Sequence, residues 1–534
     1  MCGIAWYWLA GLDDGQVAAL AADARTCLAH RGPDATSVER VGDALWVFHR
    51  LAVVHLGPEG MQPLVGPSGS RLVCNGEIWN YRDLAPRGRS LRSDCDAVLT
   101  LLDACGGEPA GALASLDGDF AFVWQSGCGP EVVVAGRDRF GVRPLFYGTG
   151  ADGAVRAFAS EAKALVGAPG ILAVHVFPPG HVWAGGRFQP FVAQPPAIGS
   201  VAVQERPRGR LSPDFQEAKR RVRELLTEAV RKRLDHSERP VGVLCSGGID
   251  SAIVTCLAAK ILRERGALDV RVFTIEYAEG RSADAFYARI LCDQLGVAHT
   301  VFSFSRAEVA EVYDEVVRAI ETPDPNTVRA AVPMYLLARK IAAETDVRVV
   351  LSGEGADELF HGYNYFRMAP GPEAARSEAA RLVRQLHMFD VLRADRCMAA
   401  AGLELRVPFL DAALVEHVQG LPGDLPWGGV ADAEKQLLRD AFSDVGTLDR
   451  CRILDRGKER FSDGCGFSYV PQLLDFVSGG TTPKLDEKLA AERRRVEGVF
   501  DTCYPRCRGL VVERTMPEWV TAGGGKAGGA ELSA

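Results

Sequence analysis

The stretch that most constrains the fold of this chain is residues 241–251, VGVLCSGGIDS. Val241, Val243 and Leu244 follow Pro240 as a short apolar run, which reads as a buried strand. Ser246, Gly247 and Gly248 then turn the chain, and residues 252–262 (AIVTCLAAKIL) read as a helix. Glycines let the backbone approach a ligand, and a helix N-terminus offers unpaired N–H groups at the positive end of its dipole. Strand, glycine turn and helix together form an anion cradle suited to phosphate. No Gly-Lys-Ser/Thr closes it, so it is not a Walker A loop. A plain glycine turn has the same outline, but Asp250 and Ser251 after the glycines weigh against that reading.

Around the cradle, strand and helix alternate. Residues 270–275, 299–304 and 348–351 read as strands, and 283–295 and 335–345 as helices. The pattern predicts a parallel, doubly wound α/β domain with ligands at the carboxyl ends of its strands. One such end is Ser352-Gly353-Glu354-Gly355-Ala356-Asp357-Glu358. Its carboxylates repel one another unless something positive sits among them, and a magnesium–phosphate complex would serve. An acidic surface loop fits poorly, because an apolar strand runs straight into it. Residues 402–411 (GLELRVPFLD) lie between helical stretches, and residues 457–464 (GKERFSDG) put Lys458 in a polar, glycine-bounded loop. Upstream, the Pro/Gly-rich residues 189–213 mark a domain boundary. Ser212 and Pro213 then open a helix whose Val222, Leu225, Leu226, Ala229, Val230 and Leu234 share one face.

Bulk properties narrow the function classes. With 534 residues, the chain is expected to form about two to four domains. A net charge of −8 offers no basic field to hold nucleic acid, and no apolar run reaches the length of a membrane span. The start, Met-Cys-Gly-Ile-Ala-Trp, lacks the features of a signal peptide. The 14 cysteines are dilute, and Cys245, Cys256 and Cys292 sit singly in apolar surroundings as small buried residues do. Cys503 and Cys507 lack a second pair at zinc-site spacing. A reducing cytoplasm is the expected compartment.

In the first two hundred residues, Cys2 stands out. Removal of Met1 would give it a free α-amine, able to act as base for its own thiol. After it come His30-Arg31-Gly32-Pro33-Asp34, His49-Arg50-Leu51, Asn75-Gly76-Glu77-Ile78-Trp79-Asn80, Ser93-Asp94 and Arg137-Asp138-Arg139-Phe140-Gly141. Short alternating runs at 45–48, 71–74, 120–124 and 131–135 read as strands of layered sheets, with helices near 14–29 and 94–104. This set resembles the N-terminal-nucleophile domain of class II glutamine amidotransferases. The resemblance implies an α/β/β/α sandwich that releases ammonia from glutamine through a cysteinyl thioester. It makes Cys2 the nucleophile and the Asn75 amide with the Gly76 N–H the oxyanion hole. Arg50 would take the α-carboxylate of glutamine, Asp94 its α-ammonium, and Glu77 would lie near the substrate amide. The chemistry suits the roles, since a guanidinium fork matches a carboxylate and two fixed donors stabilise an oxyanion.

With SGGIDS and the later loops, the resemblance extends over residues 2–519, to the glutamine-hydrolysing asparagine synthetases of the B type. It implies domains at 2–195 and 212–520, a disordered tail at 521–534, a homodimer, and ATP with Mg²⁺. ATP would activate the side-chain carboxylate of aspartate as an acyl-adenylate, and ammonia would displace AMP. Leu244, Ser246, Ile275, Ser352 and Gly353 would hold adenosine, with Gly247, Gly248 and Ser251 in the phosphate loop. Asp250 and Asp357 would bind Mg²⁺–pyrophosphate, Arg329 and Lys458 would meet phosphate charge, and Glu354 would take a proton from the attacking ammonia. The chain departs from the family at Trp79, Ala252, Asn326-Thr327 and His361. None of these removes a catalytic group, though Asn326 lies on the side expected to face substrate. A ligase acting on another carboxylic acid, and a catalytically dead binder, are the competing readings. The presence of Cys2, Asp250 and Glu354 speaks against the second.

Overall fold

The computed structural model describes residues 1–85, 91–127, 132–192, 213–266, 270–422, 434–480, 484–505, 507, 510 and 515–521. Ser212 and the tail from residue 522 lie outside this set, as does most of the expected linker.

The N-terminal part holds two antiparallel sheets. One contains β1 (Gly3–Trp8), β2 (Ala35–Val41), β3 (Ala44–Arg50), β8 (Phe146–Thr149), β9 (Val155–Ala159) and β10 (Ala173–Val176), in the order β10-β8-β9-β1-β3-β2. The other contains β4 (Leu64–Val65), β5 (Arg71–Ile78), β6 (Gly118–Gln125), β7 (Val133–Arg137), β11 (His181–Ala184) and β12 (Arg187–Pro190), in the order β12-β11-β7-β6-β5-β4. Alternation along the strands separates the layers. Ile4, Trp6, Trp46 and Phe48 meet Val73, Ala121, Val123 and Ala135 between the sheets. Ala5, Tyr7, Leu45 and Val47 turn outward to Val17 and Leu20 of α1 (Asp14–Ala24). Leu72, Cys74, Phe120 and Phe122 face Val98 and Leu99 of α2 (Asp96–Ala104). This is the expected α/β/β/α sandwich, although α1 ends at Ala24 and only a short 3-10 turn, Ala29–Arg31, follows.

The C-terminal part is built on five parallel strands in the order β15-β14-β13-β16-β17: β13 (Val241–Leu244), β14 (Arg271–Tyr277), β15 (Ala298–Phe304), β16 (Val349–Leu351) and β17 (Glu404–Arg406). Crossovers run through α3 (Ile249–Glu264), α4 (Ala283–Leu295), α5 (Arg306–Ile320) and α6 (Pro325–Glu344). The direction of winding reverses between β13 and β16, and a doubly wound sheet presents its ligand crevice at that point. Two elements differ from expectation. Helix α6 starts ten residues before residue 335, because Asp324 caps it by accepting from Thr327 N at 3.0 Å and Pro325 takes the first turn. Residues 402–411 contain the fifth strand, whose charged Glu404 and Arg406 are buried rather than solvated.

Candidate functional site

The carboxyl ends of β13 and β16 open onto a cavity of about 590 Å³ lined by Leu244, Ser246, Gly248, Asp250, Ser251, Ile275, Arg329, Ser352, Gly353, Glu354, Asp357 and Lys458. Of the expected nucleotide-side residues, only Gly247 is not in this lining. Gly247 has φ +66° and lies so close to α4 that a Cβ would stand 2.6 Å from the Ala288 nitrogen, so it serves the packing of the loop. The loop is braced from within, Ser246 N donating to Ser251 Oγ at 3.1 Å. From outside, Arg456 donates through Nη1 to the Ser246 carbonyl (2.9 Å) and through Nη2 to Asp284 (2.6 Å). The two glycine-rich turns touch: a Cβ on Gly353 would lie 3.0 Å from the Asp250 Cβ.

Several charged groups of this cavity are held in ion pairs. Lys458 Nζ donates to Asp357 Oδ2 at 2.7 Å. Lys435 Nζ lies 2.7 Å from Asp357 Oδ1 and also bonds Asp250 Oδ2. Burial alone would raise the Asp357 carboxyl, but Lys435 and Lys458 hold it well below the usual range. Glu354 accepts from Arg393 Nη2 at 2.9 Å, and burial pushes its carboxyl up despite that partner. Arg329 is gripped through Nε by Glu492 Oε1 and Oε2 at 2.9 and 3.0 Å, and reaches Asn326 Oδ1 at 3.2 Å. Lys435, Arg393 and Glu492 were not among the residues expected from sequence. Arg393 and Glu492 are ordinary polar positions of amphipathic helices (Asp390–Ala399 and Leu485–Cys503), so no local pattern singles them out.

The second site lies where β1, β3 and β5 meet. Cys2 sits just before β1, its Sγ accepting from Leu51 N at 3.4 Å. Burial pushes its thiol up to about 11. Arg50, at the end of β3, donates through Nη1 and Nη2 to the carbonyls of Gly57 (2.7 Å) and His55 (2.5 Å). Asn75 is buried, and neither its Nδ2 nor its Oδ1 finds a hydrogen-bond partner among the described residues. Gly76 abuts β6 so closely that a Cβ would fall 2.4 Å from the Asp119 oxygen. Asp94 accepts from Ile78 N at 2.9 Å, and burial raises its carboxyl to about 6. Glu77 is raised well above the usual range by burial and by the neighbouring carboxylates of Glu404 and Asp94. The Met1 ammonium, buried, stands 3.7 Å from Glu404 Oε2.

Glu404 and Arg406 of β17 explain why charged residues occupy a buried strand. Arg406 donates to the Arg233 and His236 carbonyls (2.6 and 2.8 Å) and to Glu404 (2.7 Å), and lies 3.5 Å from Glu77. Arg143 from the N-terminal part reaches the Leu405 carbonyl at 3.0 Å. The edge of the parallel sheet is thereby tied to the Cys2 site. No helix among the described residues is long and apolar enough to cross a membrane.

Comparison with known proteins finds relatives for both parts of the chain. A family model described as asparagine synthase matches residues 221–382 and 367–506, and one described as a glutamine amidotransferase domain matches residues 1–175. The mouse and human proteins named asparagine synthetase [glutamine-hydrolyzing] are each 36% identical to this chain, spanning 98% of it and 97% of themselves. The bovine protein of that name is 38% identical over the same shares. A solved NMN synthetase from Francisella tularensis covers 57% of this chain and 98% of its own, at 13% identity and a TM-score of 0.22, a likeness too slight to bear on function. With relatives this similar over nearly its whole length, the chain belongs to the family of glutamine-hydrolysing asparagine synthetases.

Proposed function

We propose that this chain hydrolyses glutamine at the Cys2 site and uses the ammonia, with ATP, to convert aspartate to asparagine in the cavity at the switch point. The observation that carries the reading is the contact of Gly353 with Asp250, which brings the phosphate loop and the Glu354 loop to one cavity. A homodimeric cytoplasmic enzyme with domains at 2–195 and 212–520 completes it.

At the first site, removal of Met1 frees the Cys2 amine to take the thiol proton, a need made acute by the buried, raised thiol. The thiolate attacks the side-chain carbonyl of glutamine. Asn75 Nδ2, without a hydrogen-bond partner among the described residues, and the Gly76 N–H receive the oxyanion. Arg50 and Asp94 hold the α-carboxylate and α-ammonium, and Glu77 lies by the amide nitrogen, which leaves as ammonia with the proton returned by the Cys2 amine; water then hydrolyses the thioester to glutamate.

At the second site, the aspartate side-chain oxygen attacks the α-phosphorus and pyrophosphate leaves. Leu244, Ser246, Ile275, Ser352 and Gly353 hold adenosine, while Gly247, Gly248 and Ser251 shape the phosphate loop. Arg329 and Lys458 meet phosphate charge. Mg²⁺ suits Asp250 and Asp357, since it takes one or two carboxylates plus phosphate oxygens, and the buried Asp250 Oδ1 has no hydrogen-bond partner among the described residues. When bound, it would neutralise charge on the departing pyrophosphate. Ammonia then attacks the acyl carbon, Glu354 takes the proton, and AMP leaves; burial raises the Glu354 carboxyl, the direction that favours a base. Incubation with ATP, glutamine and aspartate should yield asparagine and pyrophosphate by mass spectrometry. Turnover that does not depend on aspartate would overturn the reading.

A further inference from the structure

Lys435 holds a place that no sequence motif announced. Its side chain is 2% exposed and its ammonium lies between Asp250 and Asp357, within 2.7 Å of Asp357 Oδ1 and bonded to Asp250 Oδ2. Its backbone is in the left-handed region, φ +57°, which a lysine seldom adopts and which a surrounding structure must enforce. The enforcement is visible. Glu434, the preceding residue, is clamped by Arg439 (2.7 Å) and Arg367 (3.1 Å), and the Lys435 carbonyl accepts from Arg439 N at 2.9 Å. Gly362 leaves room for the side chain to pass: a Cβ there would stand 2.2 Å from Lys435 Cε and 2.0 Å from Asp357 Oδ1.

Two buried carboxylates that share a site repel, and a cation between them removes the penalty. A divalent ion bound by both aspartates would need the same place. We propose that Lys435 is a resident counter-cation that fills the position between Asp250 and Asp357, yields it when metal–nucleotide arrives, and moves onto the phosphate oxygens. This rests on the reading that Asp250 and Asp357 hold metal–pyrophosphate. The consequence is an order of events: metal alone binds poorly because it must displace a charge already paired, whereas phosphate supplies the lysine with a new partner.

The test measures binding of Mn²⁺, free of nucleotide, by electron paramagnetic resonance on the full chain. Lys435→Met and Lys435→Gln should each bind Mn²⁺ at least about tenfold more tightly than wild type, because a unit charge a few ångströms away has gone. Both should also lose at least about tenfold in aspartate-dependent exchange of pyrophosphate into ATP. Circular dichroism identifies a variant that has not folded, and the other then decides. In the wild type, adding pyrophosphate should tighten Mn²⁺ binding. Equal Mn²⁺ affinity in wild type and the folded variant overturns the proposal. Asp250→Asn separates the two failures: if pyrophosphate-dependent Mn²⁺ binding survives that change, the metal assignment itself is wrong. If it is lost while the lysine variants bind no more tightly than wild type, the lysine proposal alone fails.

Discussion

The two sites of this molecule solve opposite problems with buried polar groups. Around Cys2, key atoms are left unpaired: both polar atoms of Asn75 and Glu77 Oε2 have no hydrogen-bond partner among the described residues. Around the switch point, the main charges stand in ion pairs, Lys458 and Lys435 with Asp357, Arg393 with Glu354, Arg329 with Glu492, although Asp250 Oδ1 lacks a hydrogen-bond partner among the described residues. The difference fits the ligand proposed for each site. Glutamine's reacting end is a neutral amide that gains charge only during reaction, so its donors must wait in place. ATP arrives as a polyanion, and cations held apart from counter-charges would be costly to bury in its absence.

The largest expected effect breaks one site and spares the other. Cys2→Ala should lower glutamine-dependent synthesis on the order of 10⁴-fold, while synthesis from ammonium salts stays near wild type in the same assay. Comparable loss with both nitrogen sources would merge the two sites into one. Next, Glu354→Gln should reduce amide formation about 10²–10⁴-fold while retaining part of the pyrophosphate exchange, because the base acts after adenylation. Asp250→Asn should abolish the exchange itself. If Glu354→Gln lowers exchange and amide formation by the same factor, Glu354 belongs to the nucleotide side.

Stability should expose the contrast directly. Asn75→Ala should slow glutamine hydrolysis about 10²–10³-fold yet leave unfolding free energy within about 1 kcal/mol, since no hydrogen bond is broken. Glu492→Gln should cost about 3 kcal/mol, at the lower end for a broken buried pair because the Arg329 side chain remains 13% exposed. Denaturant titration of both variants decides; an Asn75→Ala protein as unstable as Glu492→Gln would mean that Asn75 is structural.

A smaller effect is a pH dependence. Burial raises the Asp94 carboxyl to about 6, so below that pH it becomes neutral and loses its hold on an ammonium. KM for glutamine should therefore rise up to about tenfold per pH unit below that point, and Asp94→Asn should flatten the profile. A profile unchanged by that substitution would remove Asp94 from the glutamine site.

Much of this was legible because phosphate loops and sheet strands carry local signals. Val241–Leu244 and Ala283–Leu295 have the expected bounds, and the loop after each switch-point strand sits at the cavity. What escaped was carried by tertiary pairing. Glu404 and Arg406 break the apolar pattern of β17, and their burial makes sense only once Met1, Arg143 and Glu77 surround them. Helix α6 begins at Pro325 under an Asp324 cap and carries Pro333 within it, ten residues earlier than the apolar pattern alone places it. Lys435, Arg393 and Glu492 each find their partners from 39 to 185 residues away, beyond any local motif.

On this reading, one chain makes ammonia at Cys2 and spends ATP on an aspartyl adenylate at the switch point. Aspartate carrying heavy oxygen in its side-chain carboxylate tests it most directly, with ATP and glutamine present and the products read by mass spectrometry. Attack by that oxygen on the α-phosphorus predicts one labelled oxygen in AMP and none in pyrophosphate. Label appearing in inorganic phosphate, or asparagine forming without label in AMP, would contradict the account.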